Sequence, residues 1–247
     1  MSDSPHFTNQ PVNFRVAGTV ILLPVVLADD GYSALPEMLR AEAASCDIFF
    51  VEQLRTARRF LRRLNPDFDI DGRNWYEIDL KSREIMQAFR TALQNGQTIG
   101  IMSEAGCPGI ADPGQELVAM AQGMGARVRP VTGPSSIFLA LMASGMNGQL
   151  FRFNGYLPVE SDRRKKSLRE LESDSLRTGC THIFIETPYR NGAMLDAIIT
   201  TCRPDTRLCI AVNITGASED IRTMRVDEWK RGIPSIHKVP AIFLISA

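Results

Sequence analysis

No stretch of this chain stays apolar for the roughly 20 residues that a membrane-spanning helix needs, and its first residues carry no secretory apolar segment. Neither sign of charge is in surplus: 28 Lys and Arg balance 28 Asp and Glu. No overall field therefore draws the protein to nucleic acid or to a bilayer, and any such affinity must come from local clustering. The five cysteines (Cys46, Cys107, Cys180, Cys202 and Cys209) are odd in number and include no C-x-x-C pair. That pattern speaks against a zinc site and against a disulfide framework, and leads to an expectation of reduced thiols in the cytoplasm with no bound metal. Cys46, Cys180 and Cys209 fall at or within strand-like runs, where a free thiol packs as a small apolar group. There is no internal repeat and no low-complexity tract, so the 247 residues make one large domain or two small ones, and either can bury a core.

What is present is a pair of glycine-rich junctions close together in sequence. Residues 100–113 read G-I-M-S-E-A-G-C-P-G-I-A-D-P, and residues 131–136 read V-T-G-P-S-S. Each follows a short apolar run, at 98–102 and 126–131, and each gives way to a helical pattern, so both have the form strand, loop, helix. In an open α/β sheet the loops at the carboxyl ends of the strands are where small molecules bind. Gly106, Gly109, Gly114 and Gly133 remove Cβ atoms there, which permits positive φ and close approach of backbone to a ligand. Either junction alone reads as a tight turn; the two together point to a ligand site.

Along the chain, residues 1–14 hold two prolines and no periodicity and read as a loose lead-in. A buried strand is expected at 18–26, with Pro24 near its end, then a helix at 35–44 and a second strand at 47–51 closed by Glu52. In the next helix Leu54, Ala57, Leu61 and Leu64 form one apolar stripe, and Arg55, Arg58, Arg59, Arg62 and Arg63 recur on the opposite side. Such a face is solvated, paired with acids elsewhere, or laid against phosphates. Residues 72–80 read as irregular, and 82–94 as a helix closed by Asn95-Gly96. A helix at 115–122, a strand at 126–131 and an apolar helix at 135–144 closed by Gly145 follow. This alternation argues for a mainly parallel sheet. Asn147-Gly148 marks the expected boundary between an N-terminal domain, 1–146, and a C-terminal domain, 147–247. Beyond it come strands at 150–158, 182–186, 207–213, 223–226 and Ala241–Ser246, with helical stretches only at 160–174 and 192–202. More strands than helices make this a mixed α/β domain.

Several of these segments carry motifs of one family. The chain has S-E-A-G-C-P-G-I-A-D-P-G at 103–114, T-G-P-S-S at 132–136, G-Y-L-P at 155–158, E-T-P-Y-R at 186–190 and A-V-N-I-T at 211–215. In the same order, one branch of the tetrapyrrole-methylase superfamily of S-adenosylmethionine-dependent methyltransferases carries S-D-A-G-T-P-x-x-S-D-P-G, P-G-P-x-A/S, G-F-L-P, E-S-P-H-R and A-R-E-L-T. E-Q-L-R at 52–55 matches an E-D-T-R element loosely. On these blocks, from about Leu22 to the C-terminus, the chain resembles that superfamily, and most of all the branch that 2′-O-methylates a ribose in small-subunit ribosomal RNA. It departs from the branch at Glu104, Gln53 and Val212. It departs also in the first loop, where T-P-I-G-N-L gives way to Pro24 followed by V-V-L-A-D-D, and the C-terminal extension of many members has no counterpart.

The resemblance implies two α/β domains of the class III, tetrapyrrole-methylase kind, an N-terminal mainly parallel sheet and a C-terminal mixed sheet with the cofactor cleft between, commonly in a homodimer. It implies S-adenosylmethionine as methyl donor; the ordinary Rossmann fingerprint G-x-G-x-x-G is absent after the first strand, in agreement. Matched block by block, the donor contacts are Leu23, Ser103, Ala105, Gly106, Ile110, Gly133, Ser135 and Ser136, then Phe184, Ala211, Val212 and Pro240 from the second domain. Phe184 and Ala211 read equally as core residues. A ribose hydroxyl must lose its proton to attack carbon, so a base or charge-stabilising group is expected. Glu104, Glu186 and Arg190 are the catalytic candidates in the motif blocks, with Glu104 the first choice of base. Arg190 reads as a phosphate contact or as the partner of Glu186, and Asp112 as an N-cap for the helix near Gly114. Arg55, Arg58, Arg59 and Arg62, with the basic run at 163–166, would hold the RNA backbone of the small ribosomal subunit, positioning it without reading its sequence. Two other functions fit the same motifs: methylation of a small tetrapyrrole-like molecule, and donor binding without catalysis.

Overall fold

The structure, a computed structural model, describes residues 16–232 and 234–247; the lead-in expected at 1–14 lies outside them. By their own internal packing the described residues fall into two compact units. Unit one comprises 16–23, Arg40–Glu104 and Pro108–Val131, and unit two comprises Pro24–Leu39, Ala105–Cys107 and Thr132–Ala247. The break expected at 146/147 falls inside unit two.

Unit one is a five-stranded, wholly parallel sheet in the order β3-β2-β4-β1-β5, formed by β1 (Thr19–Leu22), β2 (Ile48–Val51), β3 (Asn74–Glu77), β4 (Thr98–Met102) and β5 (Arg127–Pro130). β2 and β4 read as near-continuous apolar runs because parallel strands bury both faces; all four residues of β2 are buried. Helices α1 (Leu39–Ala44), α2 (Leu54–Leu64), α3 (Arg83–Gln94) and α4 (Gly114–Gly123) supply the connections. The expected helix at 35–44 is shorter in the structure: a 3-10 turn covers Gly31–Ala34, and α1 begins only at Leu39. Pro36 disfavours helical backbone in the residue before it, which keeps the two apart. Residues 72–80, read as irregular, contain strand β3 at the sheet edge. Its short polar run hid the signal; what holds it is Trp75, stacked on Phe49 with centroids 4.4 Å apart, and Tyr76, stacked on Phe50 at 5.0 Å. Such pairs contribute about 0.5–1.5 kcal/mol each beyond their buried area.

Helix α2 starts where the sequence departs from the family's E-D-T-R. Gln53 still performs the cap: its Oε1 accepts from the Thr56 N–H at 2.7 Å and from the Thr56 hydroxyl at 2.8 Å. Ala57, Phe60, Leu61 and Leu64 are the buried stripe.

Unit two is a mixed five-stranded sheet in the order β6-β7-β10-β8-β9, from β6 (Phe151–Tyr156), β7 (Thr181–Ile185), β8 (Arg207–Val212), β9 (Asp220–Arg225) and β10 (Ala241–Ser246). β6 and β7 are parallel, and the other neighbours are antiparallel. Helices α5 (Ser136–Ser144), α6 (Ser161–Thr178), α7 (Asn191–Thr201) and the short α8 (Val226–Trp229) complete it. The charged stretch expected as loop and helix at 160–174 is one long helix, ended by Gly179 in the left-handed conformation at φ 71°. One core cluster joins Leu168, Leu195, Ile198, Phe184, Phe243 and Trp229 beneath α6, α7 and α8, and a second joins Ala140 and Leu141 of α5 to Ile183, Cys209, Ala211 and Leu244. Of the five cysteines only Cys107 is not buried, and burial pushes the Cys46 and Cys202 thiols up to about 12.

Gly18 enters β1 so close to α3 that an added Cβ would stand 2.6 Å from both Cα and O of Leu93, and its own N–H donates to that oxygen at 3.0 Å. Backbone on both sides leaves no soft neighbour to move. Gly18→Ala is therefore expected to destabilise unit one by about 1–3 kcal/mol, read as a lower urea midpoint with unchanged slope.

Candidate functional site

In unit one the chemistry gathers at the carboxyl ends of the strands. β4 ends at Met102, followed by buried Ser103 and exposed Glu104. Glu52, the residue after β2, takes the Glu104 N–H on its Oε2 at 2.9 Å. Partial burial raises the Glu52 carboxyl above the ordinary carboxylate range; the bond from Glu104 opposes the rise, and the negative charges of Glu104 and Asp112 add to it. Glu77, closing β3, accepts the Leu54 N–H at 3.1 Å. Asp112 is the organiser of the glycine-rich loop. Its Oδ2 accepts from Gly109 N at 2.7 Å and Ile110 N at 3.2 Å, and its Oδ1 from Gly114 N at 2.7 Å. The N-cap of α4 is Pro113, which has no side chain to cap with, so Asp112 lies one residue before the cap position expected for it and satisfies the free Gly114 N–H from there. Two residues here have left-handed backbone, Gly109 at φ 87° and Ala111 at φ 60°. A Cβ on Gly109 would meet nothing within 4 Å, so open space lies beside that turn. Ile110 next to it is 46% exposed, whereas Leu23 is fully buried with its N–H bonded to Ile101 O.

Unit two holds the other turns. Gly106, at φ 71°, forms a two-way bridge with Val25 (2.8 and 3.1 Å), and Ala105 before it is exposed. The Cys107 thiol donates to Pro134 O at 3.4 Å. Gly133 lies against Pro24 so tightly that any Cβ would overlap the proline ring. Ser135 and Ser136, half-buried, open α5 with no side-chain cap. The loop after β8 is strained: Asn213 and Thr215 both have positive φ, 48° and 73°. It is held by Asn213 N–H to Pro240 O (3.1 Å), Thr215 N–H to Glu219 Oε2 (2.7 Å) and Ala217 N–H to Asp30 Oδ2 (2.9 Å). Left-handed backbone at residues with side chains persists only where surroundings over-determine it, and it clusters at functional sites. Val212 and Pro240 flank this loop, while Ala211 and Phe184 sit wholly in the core, Phe184 stacked on Phe243 at 5.8 Å.

The E-T-P-Y-R block forms a 3-10 turn, Pro188–Arg190, between β7 and α7. The Glu186 side chain is fully buried. Its Oε1 accepts from Thr187 N (2.7 Å) and from Arg190 Nε (3.0 Å) and Nη2 (2.6 Å), while Oε2 is buried without a partner. Of the two readings of Arg190, pairing with Glu186 is the one the geometry contains.

Helix α2 turns Arg55, Arg58, Arg59, Arg62 and Arg63 to solvent. Among the described residues, Arg55, Arg59 and Arg62 have no carboxylate within ion-pair distance, and Arg58 lies over the Trp75 ring at 5.3 Å. The second basic run is spent locally, with Arg163 paired to Glu160, Lys166 to Glu170 and Arg164 buried. Asp174, Cys180 and His182 also lie together. Asn154 Nδ2, fixed by the Arg152 and Ile183 carbonyls, faces His182 Nδ1 at 3.3 Å. His182 Nε2 stands 3.0 Å from Asp174 Oδ2, and burial holds the imidazole pKa down.

Two residues with clear roles were not singled out from the sequence. In the sequence Glu52 reads only as the end of the second strand and part of E-Q-L-R, and Asp30 lies in the divergent first loop, where the run Asp29-Asp30-Gly31 is the available signal. Glu52 binds more protons in the folded state than in the unfolded one, so wild-type stability falls as pH rises from the ordinary 4.5 through the raised folded value. Glu52→Gln, which can still accept the Glu104 N–H, is expected to raise Tm at neutral pH, with the gain vanishing below pH 4.5. Glu186→Ala leaves a guanidinium with one partner fewer, but Arg190 keeps a third of its side chain in water. The cost is therefore expected below that of a fully buried pair, about 2 kcal/mol, measured by thermal and urea unfolding.

The family model described as Tetrapyrrole (Corrin/Porphyrin) Methylases matches residues 28–229. The chain is 32% identical over 197 residues to a protein of Mesorhizobium japonicum named Ribosomal RNA small subunit methyltransferase I, covering 80% of this chain and 63% of that one. A protein of the same name from Leptospira borgpetersenii is 30% identical over 235 residues, covering 94% and 89%. The chain thus spans just under two thirds of the length of the Mesorhizobium relative, and 62% of one from Vibrio cholerae. Among solved structures, the methyltransferase CobJ aligns with a TM-score of 0.59 at 16% identity, and a uroporphyrin III C-methyl transferase from Thermus thermophilus with 0.56 at 17%. Each covers 93% of this chain, and 93% and 97% of its own. They share its fold, two α/β sheets of which the first is all parallel and the second mixed. Fold, motif order and sequence agree, and the chain belongs to the tetrapyrrole (corrin/porphyrin) methylase family.

Proposed function

We propose that the chain is an S-adenosylmethionine-dependent methyltransferase acting on RNA, and that its acceptor is a ribose 2′-hydroxyl of small-subunit ribosomal RNA. The observation that carries the RNA reading is the solvent-facing arginine row of α2, in which Arg55, Arg59 and Arg62 have no carboxylate partner among the described residues. Three uncompensated guanidinium groups on one face repel one another, and phosphates relieve that repulsion. The names of the relatives in Mesorhizobium and Leptospira agree with it.

The residues suit the donor. A sulfonium is a cation carrying an electrophilic methyl group; it asks for carbonyls and carboxylates and tolerates no adjacent ammonium. Glu52, Glu104 and Asp112 lie within electrostatic reach of one another at the strand ends, and open space lies beside Gly109. The contacts assigned to the donor are Leu23, Ser103 and Ile110 in unit one, and Ala105, Gly106, Gly133, Ser135, Ser136, Phe184, Ala211, Val212 and Pro240 in unit two. Of these, Leu23, Phe184 and Ala211 act from within the core, shaping rather than touching.

Transfer is an in-line displacement at carbon, in which alignment supplies much of the rate. The hydroxyl proton needs an acceptor, and Glu104, exposed at the end of β4, is the carboxylate assigned to take it. Glu186 and Arg190 act by fixing the Pro188–Arg190 turn. The protein works in the cytoplasm as a homodimer in this reading; exposed Phe138 and Met142, one turn apart on α5, offer apolar surface for self-association.

The test is incubation of the protein with tritiated donor and fractionated lysate from a strain lacking the gene. Label in small-subunit RNA is the expected result; label in small molecules, or none, overturns it. Arg55→Glu with Arg59→Glu is expected to weaken binding to the small subunit by tenfold or more and to lower the salt slope by about 2, with Tm unchanged.

A further inference from the structure

Tyr189 sits in the middle of the E-T-P-Y-R turn with 71% of its surface exposed. The backbone behind it is fixed at every step. Pro188 restricts φ, Arg190 N–H bonds back to Thr187 O at 2.8 Å, and Glu186 holds Thr187 and Arg190 together. A second segment is tied to the turn: Lys238 N–H donates to Pro188 O at 3.0 Å, and buried Asn191 donates from Nδ2 to Val239 O at 2.6 Å. Lys238 adopts φ 62°, a conformation that residues with side chains take only when surroundings impose it. As a result its Nζ stands 5.8 Å from the centre of the Tyr189 ring, and the His237 ring meets that ring edge-on at 6.3 Å. The sequence around the pair is one-sided in charge: K-R-G-I-P-S-I-H-K-V-P at 230–240 and T-P-Y-R-N at 187–191 contain no acid. The one carboxylate bonded to the turn, Glu186, is buried and paired.

We propose that Tyr189, flanked by His237 and Lys238, is a stacking platform for one unpaired base of an RNA strand, with Lys238 meeting the adjoining phosphate. A rigid exposed ring beside the Lys238 ammonium matches an unstacked nucleotide, whose base has a π-face and whose backbone carries the charge. A protein partner would call for apolar neighbours, and the neighbours here are an imidazole and an ammonium. This rests on the RNA-acceptor reading above and gives it a second contact surface, in unit two, separate in sequence from the α2 arginines.

The experiment measures anisotropy of a fluorescein-labelled single-stranded RNA of about 12 nucleotides, within the length such sites span, and of the same RNA annealed to its complement. Wild type, Tyr189→Ala, Tyr189→Phe and Lys238→Ala are compared. Tyr189→Ala is expected to bind the single strand about tenfold more weakly, with Tyr189→Phe near wild type and the duplex little affected. Lys238→Ala is expected to lower the salt slope by about 1. Calorimetric affinity for the methyl donor is expected to be unchanged in all three variants. Equal single-strand affinity of wild type and Tyr189→Ala overturns the platform, as does loss of self-association by Tyr189→Ala in sedimentation, which would assign the ring to a protein interface. Failure of the wild type to methylate any RNA is a separate result and overturns the acceptor reading instead.

Discussion

In unit one, every strand runs in the same direction, and this single constraint decides where the chemistry can be. Parallel pairing of β4 between β2 and β1 puts all the strand ends on one edge, so residues remote in sequence meet there without any special device. Glu52 and Glu104 follow adjacent strands, and one hydrogen bond joins them. The packing beneath them is tight: Gly100 of β4 lies under the Phe49 ring, where a Cβ would stand 2.8 Å from two ring carbons. Close packing of this kind holds the edge in register, and the turn above it reaches left-handed backbone at Gly109 and at Ala111.

Helix α2 connects two opposite electrical environments. Its first turn is capped by Gln53 beside the crowded carboxylates, and on its outer face Arg55, Arg59 and Arg62 have no carboxylate partner among the described residues. A positive helix end near acids is favourable. Arg58 rests on the Trp75 ring, but Arg55, Arg59 and Arg62 gain nothing comparable and repel one another. Groups kept against the interest of stability are the ones a partner must explain, which is why the electrostatics of this helix weigh more in the functional reading than the neutral charge of the whole chain.

Elements with strong local signals were legible in the sequence: the apolar stripe of α2, the Asn95-Gly96 end of α3, and the strands β4 and β10. β3 was not, because four residues of mixed polarity carry no period, and its stability comes from aromatic stacking onto β2 that only the fold creates. The motif blocks fall on turns between strands and helices, yet the partners inside them were beyond reach of spacing. That Asp112 ties three N–H groups, that Glu186 is sealed with Arg190, and that Glu52 supports Glu104 across 52 positions are all consequences of tertiary contact. Gln53 shows the reverse case, a motif departure that leaves the local job intact.

The place of β10 in unit two has a kinetic meaning. It is the centre of its sheet, bonded to β7 on one side and β8 on the other, and among the described residues no other strand joins those halves. Residues 151–225 can therefore form only two separate pairs, β6 with β7 and β8 with β9, each with an open edge of unpaired backbone groups. Until residues 241–246 arrive from the translating ribosome and slot between them, both edges are templates for the wrong strand. The assembly of unit two is thus a late event, waiting on its last segment, and it exposes the nascent chain to mispairing for the whole of that interval.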